Sequence, residues 1–237
     1  MEFSRTWGMI DARPIRFPAQ APALDAIALA YATPVEQARQ LVPGRAYEVV
    51  EARPGSADVV VAIHEYHTGD WGPCATCDLC IPVRPSGSDG PDGLYLTQAL
   101  INRRFNGEIA YWSMGIPRRH ATIDSVRTPL QVSFMAAQDG EPVLTVRFPS
   151  ALPEVPPTVV HQRAYSYLDG EPHVTPFDID LPELRVPGPD FEVEVGSGPF
   201  ADAMRHLGMD GRPEAYAWGT GLACTFHAPH PLVRLCP

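Results

Sequence analysis

Proline and glycine interrupt this chain so often that long regular elements have no room. There are 27 prolines and 19 glycines among 237 residues, and they are spread throughout. Each proline removes a backbone donor and breaks a helix interior, so the punctuation favours many short strands joined by turns. Hydrophobic residues reach 45% and charged residues 19%, which is enough apolar material for a sizeable core. No repeat and no shift of composition marks a boundary, so the expectation is a single domain over 1–237. Residues 1–22, broken by Pro14, Pro18 and Pro22, read as an irregular arm.

The apolar run at residues 24–32 reads as a strand. Thr33-Pro34-Val35-Glu36 then has the pattern of a helix start: Thr as N-cap, Pro in the first turn, Glu three residues after the cap. That helix is expected to end near Leu41. Strands follow at 47–52, 57–67 and 74–83, then a turn-rich loop at 85–93 and a short strand entering a helix at 94–104. Further strands are expected at 120–126, 130–136, 142–148, 163–168, 183–186 and 191–195. A helix is expected at 199–207 and a final strand pair at 216–227. The fold class is α+β and mostly β: a closed or nearly closed antiparallel barrel with two or three short helices, able to hold one small-molecule cavity.

Charge excludes some functions. The net charge is −10, which argues against nucleic-acid binding. No apolar run is long enough to span a bilayer, so no membrane association is expected. The opening MEFSRTWGMIDARPIRFP lacks a basic start followed by an apolar stretch, which points to a cytoplasmic chain. All 18 basic residues are arginine, and there is no lysine. The only primary amine is the α-amino group of Met1, so lysine Schiff-base catalysis is excluded before any motif is read.

Several short motifs, in order, resemble the acetoacetate decarboxylase-like superfamily. Ala30-Tyr31-Ala32-Thr33 with the helix after it and Val42-Pro43 resembles that family's first strand and helix. Trp71-Gly72 followed by Ile81-Pro82-Val83 resembles its glycine turn and "IPV" strand, and Leu94-Tyr95-Leu96 its "MYLD" strand. AYWSMGIPRR at 110–119 resembles its "GRE-x-x-G-x-P-K-K" segment. The likeness covers residues 24–125; beyond that the match is only generally β-rich.

The departures matter more than the matches. Where the family carries its lysine pair, this sequence has Arg118 and Arg119. Neutralising a guanidinium near pH 7 would need about 8 kcal/mol, and even then it would not form an ordinary imine. The family's pocket carboxylate falls at Thr76 and its pocket arginine near Leu24. Arg16 would reach the pocket only if the arm folds differently. The resemblance therefore implies a retained barrel and pocket with amine-based decarboxylation abandoned.

The residues left for chemistry are few. Arg118 and Arg119 alternate, so one faces the cavity and the other away. A desolvated guanidinium can hold a carboxylate or a developing oxyanion, worth about 3 kcal/mol in a transition state. The alternative is simple pairing with an acidic residue. His64 and Tyr66 face one way on their strand, Glu65 and His67 the other, and His120 can join either set; His is the natural acid or base near pH 7. Thr76, Asp78 and Tyr66 are candidate substrate-binding residues. Tyr111 and Trp112 are candidate cavity-lining aromatics, although packing is their commoner role.

Cys74, Cys77 and Cys80 mimic a metal motif, with Cys224 and Cys236 elsewhere. On a strand Cys77 faces away from the other two, so no metal and no other cofactor is expected. With no export signal, all five read as reduced thiols. There is no phosphate loop, dinucleotide fingerprint or nucleophile elbow. The expectation is an enzyme, a lyase or an isomerase or cyclase, acting on an acidic, partly apolar keto or enol intermediate of secondary metabolism. The alternatives are a non-catalytic small-molecule binder or an imine-independent decarboxylase. The resemblance also implies a homo-oligomer.

Overall fold

The computed structural model describes residues 5–150 and 156–232. Met1 and Cys236 lie outside the described residues. In chain order the elements are strands β1 (Arg5–Ile10), β2 (Arg13–Phe17) and β3 (Ala19–Pro34), then helix α1 (Val35–Gln40). Next come β4 (Tyr47–Val49), β5 (Ser56–Thr68), β6 (Cys74–Pro85) and β7 (Gly93–Ile101), followed by α2 (Arg104–Met114). The chain continues with β8 (Arg119–His120), β9 (Thr122–Arg127), β10 (Gln131–Gln138), β11 (Glu141–Pro149), β12 (Thr158–Leu168) and β13 (Glu171–Leu181). It finishes with β14 (Glu192–Val195), α3 (Pro199–His206), β15 (Ala215–Phe226) and β16 (His230–Pro231).

Seven strands, in the order β6-β5-β3-β15-β13-β12-β7, form a ring that closes where β7 pairs with β6. The expected antiparallel barrel is in fact mixed. β12 runs parallel to β7 because α2 and the small sheet intervene between them and return the chain in the same direction. β14, β11, β10 and β9 make a separate antiparallel sheet. Its inner residues Val132, Phe134, Val146 and Phe148 pack with Ile27, Leu29, Val61 and Leu79 from the outside of the barrel. The barrel strands are thus buried on both faces, which is why β3 reads as a nearly continuous apolar run. No helix among the described residues is long and apolar enough to cross a membrane.

Some local expectations are corrected. The N-terminal arm is not irregular: β1 and β2 form a hairpin turning at Asp11-Ala12, both with positive φ. The hairpin buries Ile15 and Phe17 against Ile109, Ala110 and Met114 of α2. Thr33 does not cap α1. It belongs to β3, and its Oγ1 donates to the carbonyl of Leu207 at 3.1 Å; a tertiary acceptor outcompetes the local cap. Residues 183–186 give only an isolated bridge, Arg185 to Tyr216. The final strand pair is one strand, β15, with register shifts around Gly219 and Leu222.

Candidate functional site

β6 sets the site by alternation. Cys77 and Leu79 point out into the main core, so Cys74, Thr76, Asp78 and Cys80 project from the opposite face. Opposite Asp78 in the sheet stand Ala62 of β5 and Ala99 of β7. Their methyl groups leave room beside the carboxylate. His64 pairs with Thr76, and Tyr66 with Cys74, so His64 and Tyr66 share this inward face.

Arg118 fills the room that the alanines leave. α2 ends at Gly115, whose φ of 66° closes the helix in a left-handed turn. Buried Ile116 and the β8 pairing of Arg119 with Leu100 then fix the chain on both sides of Arg118. Its Nη1 donates to Asp78 Oδ1 at 2.5 Å and its Nη2 to Asp78 Oδ2 at 3.1 Å, a forked ion pair. Both side chains are largely removed from solvent, at 12% and 6% exposure. Burial alone would pull the Arg118 pKa down; the Asp78 charge and hydrogen bonds outweigh it and raise it above the ordinary value.

The neighbours are held neutral. Burial is the chief influence on His64 and lowers its pKa, with Asp78 opposing and Arg118 reinforcing that shift. The His64 Nδ1 lies 3.4 Å from Thr76 Oγ1, and its ring lies 5.8 Å from that of Tyr66. Burial drives the Tyr66 phenol well above its usual range and the Cys74 thiol up to about 11.

A cavity of ≈ 60 Å³ opens against this cluster. It is lined by Arg118, Thr76, Tyr66 and Cys74, by the rings of Trp71 and Phe226, and by Gln20, Thr68 and Asn106. His64 and Asp78 stand behind this wall: Asp78 holds Arg118, and His64 is reached through the Thr76 hydroxyl. The arrangement offers an anion-holding fork, two neutral hydroxyl groups and a neutral imidazole.

The other candidates lie apart from the cavity. Arg119 and His120 are exposed on β8. Tyr111 and Trp112, at 49% and 63% exposure, stack edge to face on the outside of α2. His120 and Tyr111 instead line a second, larger and more open pocket of ≈ 460 Å³ that also has Arg118 in its wall. Arg16 is exposed on β2, and buried Leu24 belongs to the barrel interior with Ala21 and Ile179.

Trp71, singled out only as part of a glycine turn, and Cys74, singled out only in the cysteine run, also line the cavity. Sequence reasoning missed a second charged cluster outside the barrel. There His67 Nε2 meets Asp25 Oδ2 at 2.6 Å, and Arg127 pairs with both Asp25 and Glu65. The signal was available: Asp25 sits in an apolar strand, and a buried carboxylate needs partners. Asp25, Glu65 and His67 have the spacing of metal ligands, but the Arg127 guanidinium already sits on the two carboxylates and offsets one of their two charges. The cysteine run does not converge on one point, because Cys77 lies on the other face of β6.

No protein-family model matches the chain, and no curated protein matches it significantly. Solved structures do match. The acetoacetate decarboxylase of Legionella pneumophila superposes with a TM-score of 0.71 at 12% identity, covering 96% of this chain and 94% of that one. The enduracididine biosynthesis enzyme MppR, solved with pyruvate, matches with a TM-score of 0.64 at 13% identity, over 92% of this chain and 91% of that one. An acetoacetate decarboxylase-like enzyme from Sphingomonas wittichii matches with a TM-score of 0.57 at 13% identity, over 98% of this chain and the whole of that one. At such identities the agreement is one of architecture: the chain has the fold of the acetoacetate decarboxylase-like enzymes.

Proposed function

We propose that this chain is an enzyme that binds a small acidic keto or enol compound in the barrel cavity and isomerises, cyclises or dehydrates it without an imine. The forked Arg118–Asp78 pair at the cavity wall carries this reading. A guanidinium has five N–H donors, and Asp78 occupies two of them, with a long contact to the Leu100 carbonyl at 3.4 Å. The remaining donors can receive a carboxylate or the oxyanion of an enolate.

Enolisation needs a proton removed from carbon and one returned to carbon or oxygen. Thr76 Oγ1 at the cavity wall, backed by neutral His64, forms a route for one of them. Tyr66, neutral and on the same wall, is a donor for the other. Arg118 spreads the charge of the intermediate, Asp78 positions Arg118, and Cys74 contributes an uncharged wall. The absence of lysine from the sequence supports a course that never passes through a Schiff base. The small cavity supports a small substrate, or one that inserts only its acidic head. A biosynthetic enzyme of this fold solved with pyruvate supports an oxo acid from secondary metabolism.

The test compares metabolites of a strain lacking the protein with those of its parent, and of the deletion strain carrying Arg118→Leu. A compound that accumulates with the mass of the lost product means isomerisation or cyclisation. One water heavier means dehydration, and one carbon dioxide heavier means imine-independent decarboxylation. Unchanged metabolites, or full rescue by Arg118→Leu, overturn the reading and favour a binding protein.

A further inference from the structure

The second pocket, of ≈ 460 Å³, has the size of a small-molecule site. Arg104, Gly107, Glu108 and Tyr111 form one side of it. Their spacing places all four on one face of α2. Ile101, Pro117, Arg118 and His120 form the other side. The polar groups here are only partly engaged. Arg104 donates from Nε to Glu108 Oε1 at 2.7 Å, and its two Nη groups have no acceptor among the described residues. The His120 ring and the Tyr111 hydroxyl make no hydrogen bond among those residues either. The distribution of charge adds to this. The chain carries −10 overall, yet residues 93–123 hold four arginines and one histidine against a single acid, Glu108. Arg103 and Arg119 neighbour pocket residues in sequence and have no ion pair among the described residues. Arg13 of the hairpin lies 4.9 Å over the ring of Phe105, in the first turn of α2. The opposing acids are Glu108 and Asp11, whose charges both act on Arg104, and Asp78, already forked by Arg118. An anion arriving here meets a positive surplus on an otherwise acidic molecule.

We propose that this outer pocket is a binding site for a phosphate monoester. Arg104, His120 and Arg118 receive the phosphoryl group, and Ile101, Pro117 and the Tyr111 ring carry the organic part. The three donors stand on separate stretches of chain: α2, the turn after it, and β8. A carboxylate has two oxygens in one plane and is satisfied by a single guanidinium fork. A phosphoryl group has three terminal oxygens and nearly two charges, so it can engage all three. The pocket is far larger than a bare phosphate, which leaves space for an apolar or aromatic body. Tyr111, 49% exposed, offers that body a ring to lie against. The site is independent of the reading of the barrel cavity, because Arg104, Tyr111 and His120 do not line that cavity.

The experiment measures dissociation constants of phenyl phosphate, inorganic phosphate and benzoate by calorimetry. The proteins are the wild type, Arg104→Gln, His120→Gln, Tyr111→Ala, Arg53→Gln and Thr76→Val. The wild type is expected to bind one phenyl phosphate, at least about fivefold more tightly than inorganic phosphate or benzoate, because only the ester has both an apolar ring and a phosphoryl group. Arg104→Gln should weaken the ester about tenfold, the range of one charged hydrogen bond, and His120→Gln should weaken it as well. Tyr111→Ala should bring the ester down to the level of inorganic phosphate. All three side chains are exposed, so each variant should keep the Tm of the wild type. Arg53→Gln removes an equal charge beside the start of β5, at the opposite end of the barrel from Ile101. Thr76→Val alters the barrel cavity alone. Neither should change the affinity for phenyl phosphate. The proposal is overturned if the wild type binds no phenyl phosphate at millimolar concentration, or if benzoate matches it. It is also overturned if Arg104→Gln acts no more strongly than Arg53→Gln, the mark of unspecific charge, or if Tyr111→Ala leaves the advantage of the ester intact. Weakening by Thr76→Val but not by Arg104→Gln would place the ester in the barrel and overturn it too.

Discussion

At the residue scale, the forked pair of Arg118 and Asp78 dominates. Burying two charges is favourable only while both are present. Asp78→Ala should therefore destabilise the protein by about 3–5 kcal/mol, read as a lower urea midpoint. The double variant Asp78→Leu with Arg118→Met should recover most of that loss while remaining inactive, which separates stability from function. His64 gives a second expectation. Its pKa in the folded protein lies below its ordinary value, so the unfolded chain binds a proton at a pH where the folded protein does not. Stability from this residue is thus complete above the unfolded pKa, near 6.5, and falls as pH drops through it. His64→Gln should flatten the decline in unfolding free energy between roughly pH 7 and 5.

At the element scale, the end of α2 aims Arg118. Gly115 has a φ of +66°, and a Cβ there would come within 2.4 Å of the Tyr167 carbonyl. Gly115→Ala should cost more than the roughly 1 kcal/mol of a left-handed alanine, because the backbone must also shift, and it should displace Arg118 three residues on. Gly211→Ala meets nothing within 4 Å and should unfold like the wild type in the same melt. The elements also show what the sequence left hidden. The strands β5 and β6 were plain, because their β-branched and apolar residues run almost without a break, as in strands buried on both faces. The β1–β2 hairpin was obscured by its prolines and by a turn of Asp11-Ala12, where glycine would have signalled positive φ. The hairpin of β12 and β13 did have such a signal in Asp169-Gly170, but Pro172 and Pro176 masked its second strand.

At the scale of the whole molecule, the barrel and the small sheet share one apolar cluster, with Ile27 and Leu79 meeting Phe134 and Phe148. Unfolding monitored by tryptophan fluorescence and by far-ultraviolet circular dichroism should give coincident transitions, as expected of a single cooperative domain. Two separated transitions would divide the chain. The barrel also explains how much of the site could be read beforehand. Arg118 and Asp78 were each named, but their union 40 residues apart in sequence depends on β7 lying between β6 and β8, a neighbourhood that no local pattern encodes. Arg119 and His120 follow the same motif and yet face outward, because a two-residue strand fixes them on the rim.

The same ion pair has a consequence for proton inventory. Arg118 and Asp78 cancel one another, and His64 is uncharged in the free protein near neutrality. A carboxylate entering this enclosure brings a charge that nothing present offsets, and such an imbalance is relieved most readily by a titratable neighbour. Capture of an organic acid should therefore draw protons from the buffer. Titration calorimetry in buffers of different ionisation enthalpy would reveal it as a slope, and His64→Gln should remove that slope while Arg119→Gln leaves it intact.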